Sequence, residues 1–434
     1  MMTSSGQIEA QTLSAAIGRR TLLKAASALA AMGVVGPASL AASADAAAPS
    51  PSGTGGDFRV LQPGVGRTRG AYLRATPQTV TWGELPNRTT EPAAVVSSGD
   101  ILTLDGVSHE GVLEDQGKDP LAYFGGLGVP ADQVLADAID IAAHKAHTGP
   151  GPHVVTGPVA VRGAEVGDVL KVETLDAALR VPYGVVSNRH GKGALPAEYP
   201  EGFQGVAEDL PFFNQGGNIS VFTTVREGGG HYRGVMPGRV PVSYPLNPFM
   251  GIIGVARDTA AMVDSVPPTD AGGNLDINAL GIGSTLYLPV HVPGAMFFSG
   301  DPHMAQGDGE VALTAMEGSL RTTFRLTVVK PGGPAPSVAF DYPFAETSEH
   351  WVPIGLSDPD GPEGGAQINT LDAAMKTAVR NALAFLTTDL GMEGAVAYAY
   401  LSAAADFVVS QVVDRTTGIH GLIRKTDFGG RSRG

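Results

Sequence analysis

Leu320-Arg321-Thr322-Thr323-Phe324-Arg325-Leu326-Thr327-Val328 decides the fold class. Leu320, Thr322, Phe324, Leu326 and Val328 fall on one side of a two-residue period, with Arg321, Thr323, Arg325 and Thr327 on the other. That alternation predicts a half-buried antiparallel strand. Working outward, Gly167-Asp168 opens a second strand over Val169 to Leu175, and Phe407 to Val413 reads as another. Thr285 to Val290 is β-branched and apolar but contains Pro289, so it reads as a strand end or an edge. Helices are expected over 131–147, 371–390 and 395–405. In the second, Leu371, Met375, Ala378, Val379, Ala382 and Leu386 form a stripe, with Asn369 or Thr370 as the N-cap and Gly391 as the stop. The helices are expected to pack on a sheet face. No βαβ rhythm, internal repeat or glycine-rich phosphate loop is visible, so the chain reads as mainly β with a few packed helices, α+β overall.

Composition narrows the function classes. The chain has 434 residues, 43% hydrophobic and 17% charged, enough for one large core or two fused ones. A net charge of -14 argues against nucleic acid and anionic membrane as partners, because both need clustered Lys and Arg. The absence of cysteine removes disulfides, thiolate ligands and cysteine nucleophiles together, and no G-x-S-x-G elbow supplies a serine in their place.

The first residues read as an address. Gly18-Arg19-Arg20-Thr21-Leu22-Leu23-Lys24 precedes a weakly apolar run broken by Gly33, Gly36 and Pro37, then Ala44-Asp45-Ala46. That layout predicts a twin-arginine signal over 1–46, removed on export to the periplasm or the extracellular space. Residues 47–57 read as a disordered leader and 58–434 as the catalytic region, with no membrane association after cleavage.

The densest polar cluster is Ser299-Gly300-Asp301-Pro302-His303-Met304-Ala305-Gln306-Gly307-Asp308-Gly309-Glu310, read as a glycine-rich loop between apolar flanks. Asp301 and His303, two apart, point the same way if the segment is extended, and form the first metal-ligand pair. Asp105-Gly106-Val107-Ser108-His109-Glu110-Gly111 offers His109 or Glu110 to complete the site, with His109 taken as the further ligand. In Asp270-Ala271-Gly272-Gly273-Asn274-Leu275-Asp276, Asn274 and Asp276 are candidates for holding substrate, against the simpler reading of a turn. His144, His147 and His153 are set aside as metal ligands, because histidines suit the last turn of a helix. Asn188-Arg189-His190-Gly191-Lys192-Gly193 is either an anion-binding loop or a plain exposed one.

Several of these segments are similar to the acetamidase/formamidase family. The resemblance rests most specifically on Gly300 to Glu310, and also on His153 to Pro158, Gly163 to Leu170, Asn247 to Ala256, Gly272 to Asp276 and Ala397 to Ser402. It implies a β-sandwich-like architecture with helical additions, homo-oligomers, and hydrolysis of short amides such as formamide and acetamide. One departure is Ala312, where family members commonly carry cysteine.

The chemistry expected is hydrolysis of a small amide with no organic cofactor. Asp301, His303 and His109 hold a divalent metal, zinc by ligand preference, beside an activated water. Glu310 is the base, with Asp308 as a second catalytic carboxylate, and the amides of Gly307 to Gly309 hold the oxyanion. Two rival readings stay open: a noncatalytic exported protein that binds a small ligand on the same scaffold, and a metal-free amidase working with Glu310 and Asp308.

Overall fold

A computed structural model of the chain describes residues 58–200, 218–357 and 370–429. The segments read as signal and leader, and Asn369, lie outside the described residues.

The architecture is mainly β, built on two large sheets. The strand Leu320–Val329 sits inside a nine-stranded sheet, between Ile101–Asp105 and Val169–Leu179. Its antiparallel register places Arg321 opposite Asp105 and Phe324 opposite Leu102. Thr285–Pro289 is not an edge: it pairs with Val169–Leu179 on one side and Phe344–Glu346 on the other. Proline is tolerated because it is the last residue of the strand, beyond the ladder to Phe344–Glu346. The strand expected over Phe407 to Val413 is Asp406–Gln411, which starts one residue earlier and ends two earlier.

The second sheet has eleven strands, with Phe297–Ala305 at its centre. Phe249–Gly254 flanks it on one side, Met316–Glu317 and then Tyr183–Asn188 on the other, and Val154–Arg162 also pairs with it. The two sheets share one core, and Phe297 of one meets Phe324 of the other edge-on with ring centroids 5.4 Å apart.

The helices differ from expectation in two ways. The apolar periodicity over 131–147 is split into a single turn, Ala131–Gln133, and a helix, Ala136–His144. Val134 and Leu135 between them are extended and buried in the core, so their apolarity serves packing rather than a continuous helix. The helix Leu371–Thr388 is capped by the Thr370 side chain, as expected, but buries Ala374, Ala378, Ala382, Phe385 and Leu386, leaving Leu371 and Met375 exposed. A Cβ at Gly355 would collide with backbone atoms of Ala374 and Ala378, so helix and strand approach too closely for anything larger than alanine on that face.

Candidate active site

The site gathers on the central strand of the second sheet. Asp301 and His303 lie within Phe297–Ala305 rather than in a loop, and the Asp301 Oδ2 to His303 Nε2 distance is 2.9 Å. His303 pairs across the ladder with Glu317, whose Oε1 is 3.1 Å from the same Nε2. Gly251, on the other neighbouring strand, leaves the room these groups need: a Cβ there would lie 2.7 Å from both Asp301 Oδ2 and His303 Cε1, and would collide with Asp276. Asp276, Asp301 and Glu310 hold φ values of 49°, 53° and 47°. Non-glycine residues rarely adopt this left-handed region, at a cost of roughly 1–2 kcal/mol each, and such outliers gather where function holds them.

The remaining walls come from distant segments. His109, four residues beyond the strand Ile101–Asp105, brings Nδ1 to 3.4 Å from Asp301 Oδ1. His153 precedes the strand Val154–Arg162, with Nε2 3.8 Å from Asp301 Oδ1. Asp414, beyond Asp406–Gln411, completes a group with Asp276 and Glu310 whose ligand atoms lie within 4.8 Å of one another. Gln411 builds that last turn: its Oε1 accepts the Val413 and Asp414 amides at 3.0 and 3.2 Å, and its Nε2 donates to Thr416 O at 2.6 Å.

The electrostatics are those of crowded, dry acids. Burial pushes Glu310 well above the ordinary carboxylate range, and the neighbouring charge of Asp276 adds to it. Asp276 is pushed up to about 7, burial outweighing the attraction of His303. Asp414 is raised well above the usual value by burial and by Asp276. Asp301 goes the other way: burial opposes its charge, but His303 and the other imidazoles hold it well below. Burial likewise opposes the charge on His303, yet Glu317 and Asp301 hold it well above the usual imidazole range. His153 is driven down to about 4, chiefly by burial, and is neutral.

These residues fit a cation. His109 Nδ1 and Nε2, Asp301 Oδ1, Asp276 Oδ1 and Glu317 Oε2 are buried without a hydrogen-bond partner, although buried polar atoms are almost always paired. Carboxylate oxygens and imidazole nitrogens converging in one place are the donor set of a divalent metal. His109, His153 and Asp301 form one such group, and Asp276, Asp301 and His303 another. The first presents free nitrogen lone pairs better. His153 Nδ1 faces Ser265 Oγ at 3.0 Å and Ser265 O at 3.2 Å, which leaves Nε2 open toward Asp301. His303 Nδ1 faces Gln306 Oε1 at 3.0 Å while Nε2 faces two carboxylates, so its ring acts as a cation among acids.

Residues 255–423 match the Acetamidase/Formamidase family. Over that segment the chain is similar to the family. It is 29% identical over 213 residues to a formamidase of Methylophilus methylotrophus, covering 42% of this chain and 52% of the relative. It is 30% identical over 206 residues to an acetamidase of Mycolicibacterium smegmatis, covering 37% of this chain and 49% of the relative. The chain thus spans about half the length of the curated relatives it matches. The crystal structure of an acetamidase from Bacillus halodurans superposes with a TM-score of 0.59 at 25% identity, covering 82% of this chain and 98% of that one.

The structure brings together Asp301, His303, His109, Glu310 and Asp276, and Asn274 joins them at the cavity wall with a buried, unpartnered Oδ1. Asn274 ends a short strand, Gly272–Asn274, not a free turn. Asp308 is not brought in: it is exposed and bonded to Asn278 Nδ2 at 3.0 Å. Of the Gly307 to Gly309 amides expected to hold an oxyanion, that of Gly309 is spent on Ser410 O at 3.0 Å, and the adjoining Glu310 amide on Gly307 O at 3.1 Å. Of the three histidines set aside as helix-end residues, only His144 closes a helix. His144 is exposed beside Asp140 and His147 pairs with Glu114, but the helix ends at His144 and His153 is a buried member of the site. Arg189 and Lys192 line the mouth of the same cavity. Glu317 and Asp414 escaped the sequence reading. Glu317 carried a faint signal, a lone carboxylate in the otherwise uncharged run Ala312 to Leu320; Asp414 carried none.

Proposed function

We propose that this chain hydrolyses the C–N bond of a linear amide to a carboxylate and ammonia at a divalent metal site. The observation that carries the reading is the set of unpartnered buried oxygens and imidazole nitrogens around Asp301, on a scaffold shared with an acetamidase.

His109, His153 and Asp301 would hold the metal, zinc by its preference for imidazole with carboxylate, and Asp276 and His303 stand beside them. When bound, the ion supplies Lewis acidity to the amide carbonyl and to water. Glu310 accepts the proton of the attacking water. It can do so only when positive charge nearby offsets its burial, and His303 supplies part of that charge, with Nε2 4.0 Å from Glu310 Oε1. Once protonated, Glu310 is in the form its surroundings favour, and it holds the proton until the departing nitrogen takes it. Asn274 Oδ1 accepts from the substrate N–H and orients the leaving group.

The test is ammonia release from formamide, acetamide and longer amides, before and after chelation. Release abolished by the chelator and restored by zinc supports the metal amidase; unaffected release moves the chemistry to the carboxylates alone. Binding of amides without release identifies a noncatalytic receptor. Export is proposed on Arg19-Arg20 and the run that follows. Cell fractionation tests it: replacing both arginines by lysine should retain the protein in the cytoplasm. Homo-oligomers are proposed from the family resemblance, and sedimentation of the mature protein checks them.

A further inference from the structure

The metal-ligand cluster occupies only the floor of a cavity of about 360 Å³, within the range that pockets for drug-sized ligands span, and acetamide would fill a small fraction of it. The space above the acids is walled by Leu113, Val266, Leu313 and Val413, with Pro152 beside them. Leu113 is 6% exposed, and Val266, Leu313 and Val413 are half-buried. Leu313 is held at φ 118°, a conformation a branched residue rarely takes. Its neighbours pin it there: its amide donates to Glu310 O at 3.3 Å, and Thr314 Oγ1 accepts the Ser187 amide at 2.8 Å. Strain kept in a residue lining a cavity points to a role for that wall.

The rim is charged, and three of its cationic groups are paired within the protein, while Lys192 is exposed and Arg189 Nη2 has no hydrogen-bond partner. Arg189 Nε meets Asp115 Oδ2 at 2.8 Å, His147 Nδ1 meets Glu114 Oε2 at 3.0 Å, and Arg415 pairs with Asp264.

Resting on the amidase reading, we infer that the substrate is an amide with an apolar acyl chain longer than acetyl, seated on Leu113, Val266, Leu313 and Val413. Specificity then resides in this wall, and each methylene transferred from water to it adds to transition-state binding.

The experiment measures kcat/KM of the metal-loaded enzyme for acetamide, butyramide, hexanamide and the hexanamide analogue ending in a carboxylate. The expected result is a rise of about threefold to fourfold per added methylene, with the carboxylate-ended analogue at least about tenfold below hexanamide because its charge meets an apolar wall. Val413→Phe, which fills the wall, and Leu313→Ala, which removes part of it, should each lower the hexanamide-to-acetamide ratio by about fivefold or more. The ratio is read within one preparation, so partial loss of folded enzyme cancels. Ammonia release that falls from acetamide to hexanamide overturns this inference and leaves the amidase reading standing, as does a preference for the carboxylate-ended analogue, which would hand recognition to Lys192 and the rim. No release from any amide removes the amidase reading itself, and this inference with it.

Discussion

Two buried ionic clusters lie within a few residues of each other, and they solve the same electrostatic problem differently. Asp105 and Arg321 face each other across the first sheet, with Arg321 Nε 2.6 Å from Asp105 Oδ1 and Nη2 3.1 Å from Oδ2. Arg180 stands beside them and places Nη2 2.7 Å from Asp137 Oδ2, an ionic contact although not aligned as a hydrogen bond. Here each carboxylate has a guanidinium, and the cluster is complete. The active-site cluster begins four residues on, at His109, and four residues back from Arg321, at Glu317. There Asp276, Asp301, Glu310, Glu317 and Asp414 crowd one another with imidazoles as their nearest cationic neighbours, and several oxygens have no partner. A buried charge left uncompensated is costly, so the first cluster reads as scaffold and the second as a site that recruits charge from outside. The same two chain segments serve both, and the paired cluster fixes them where they enter the site.

The largest expected effect tests the second half of that contrast. Asp301→Ala should bring ammonia release to background and reduce bound metal, while circular dichroism stays that of the parent; full metal content with full activity would break the assignment. Glu310→Gln should keep its metal yet lose about 10²-fold to 10⁴-fold in turnover, the span of general acid–base catalysis. Retained metal with unchanged kcat would remove Glu310 as the base.

Breaking the complete cluster should do the reverse. Arg321→Met leaves Asp105 buried without its main partner and is expected to cost about 3–5 kcal/mol of stability, read from denaturant midpoints. The folded fraction should still bind metal stoichiometrically. A variant that melts like the parent would show that the pairing is not what holds this region.

Acidity sharpens the comparison further. In chelated protein, Asp276 titrates at about 7, above the ordinary carboxylate value, so folding favours its protonated form. Its contribution is fully present below about pH 4 and is lost as pH rises through 7. His153, lowered to about 4, contributes above its ordinary value of about 6.5 and loses that contribution as pH falls through 4. Between pH 6 and 8 the loss at Asp276 outweighs the smaller gain at His153, so the chelated protein should melt slightly lower at pH 8 than at pH 6, and metal should raise the melting temperature more at pH 8. Equal metal stabilisation at both values would contradict the cluster's need for positive charge.

The smallest effect belongs to Asp308→Asn. Exposed and held only by Asn278, it should change stability by less than about 0.5 kcal/mol and turnover by less than about twofold. A large loss would return Asp308 to the machinery.

Much of this was written in local sequence. Alternation fixes a strand wherever one face is buried, so Leu320–Val329 and Val169–Leu179 could be read directly. Asp301 and His303 were legible because they share one strand with a two-residue spacing, and Thr370 because a cap acts on its own helix. Pairing partners were not legible. Thr285–Pro289 looked like an edge until strands closed on both its sides, and the stripe of Leu371–Thr388 shifted because Gly355 lets the helix press its alanines onto the sheet.

What the sequence by itself determined is the class of the fold and the side-by-side placing of Asp301 and His303 on one strand, since both follow from residue spacing along an extended chain. Tertiary structure decided which distant groups meet them. It brought in His153, Glu317 and Asp414, left out Asp308, and spent the amides of Gly309 and Glu310 on the backbone. Charge and hydrogen-bond partners depend on distances across the folded core, and those distances are set by strand order and register, which no single segment encodes.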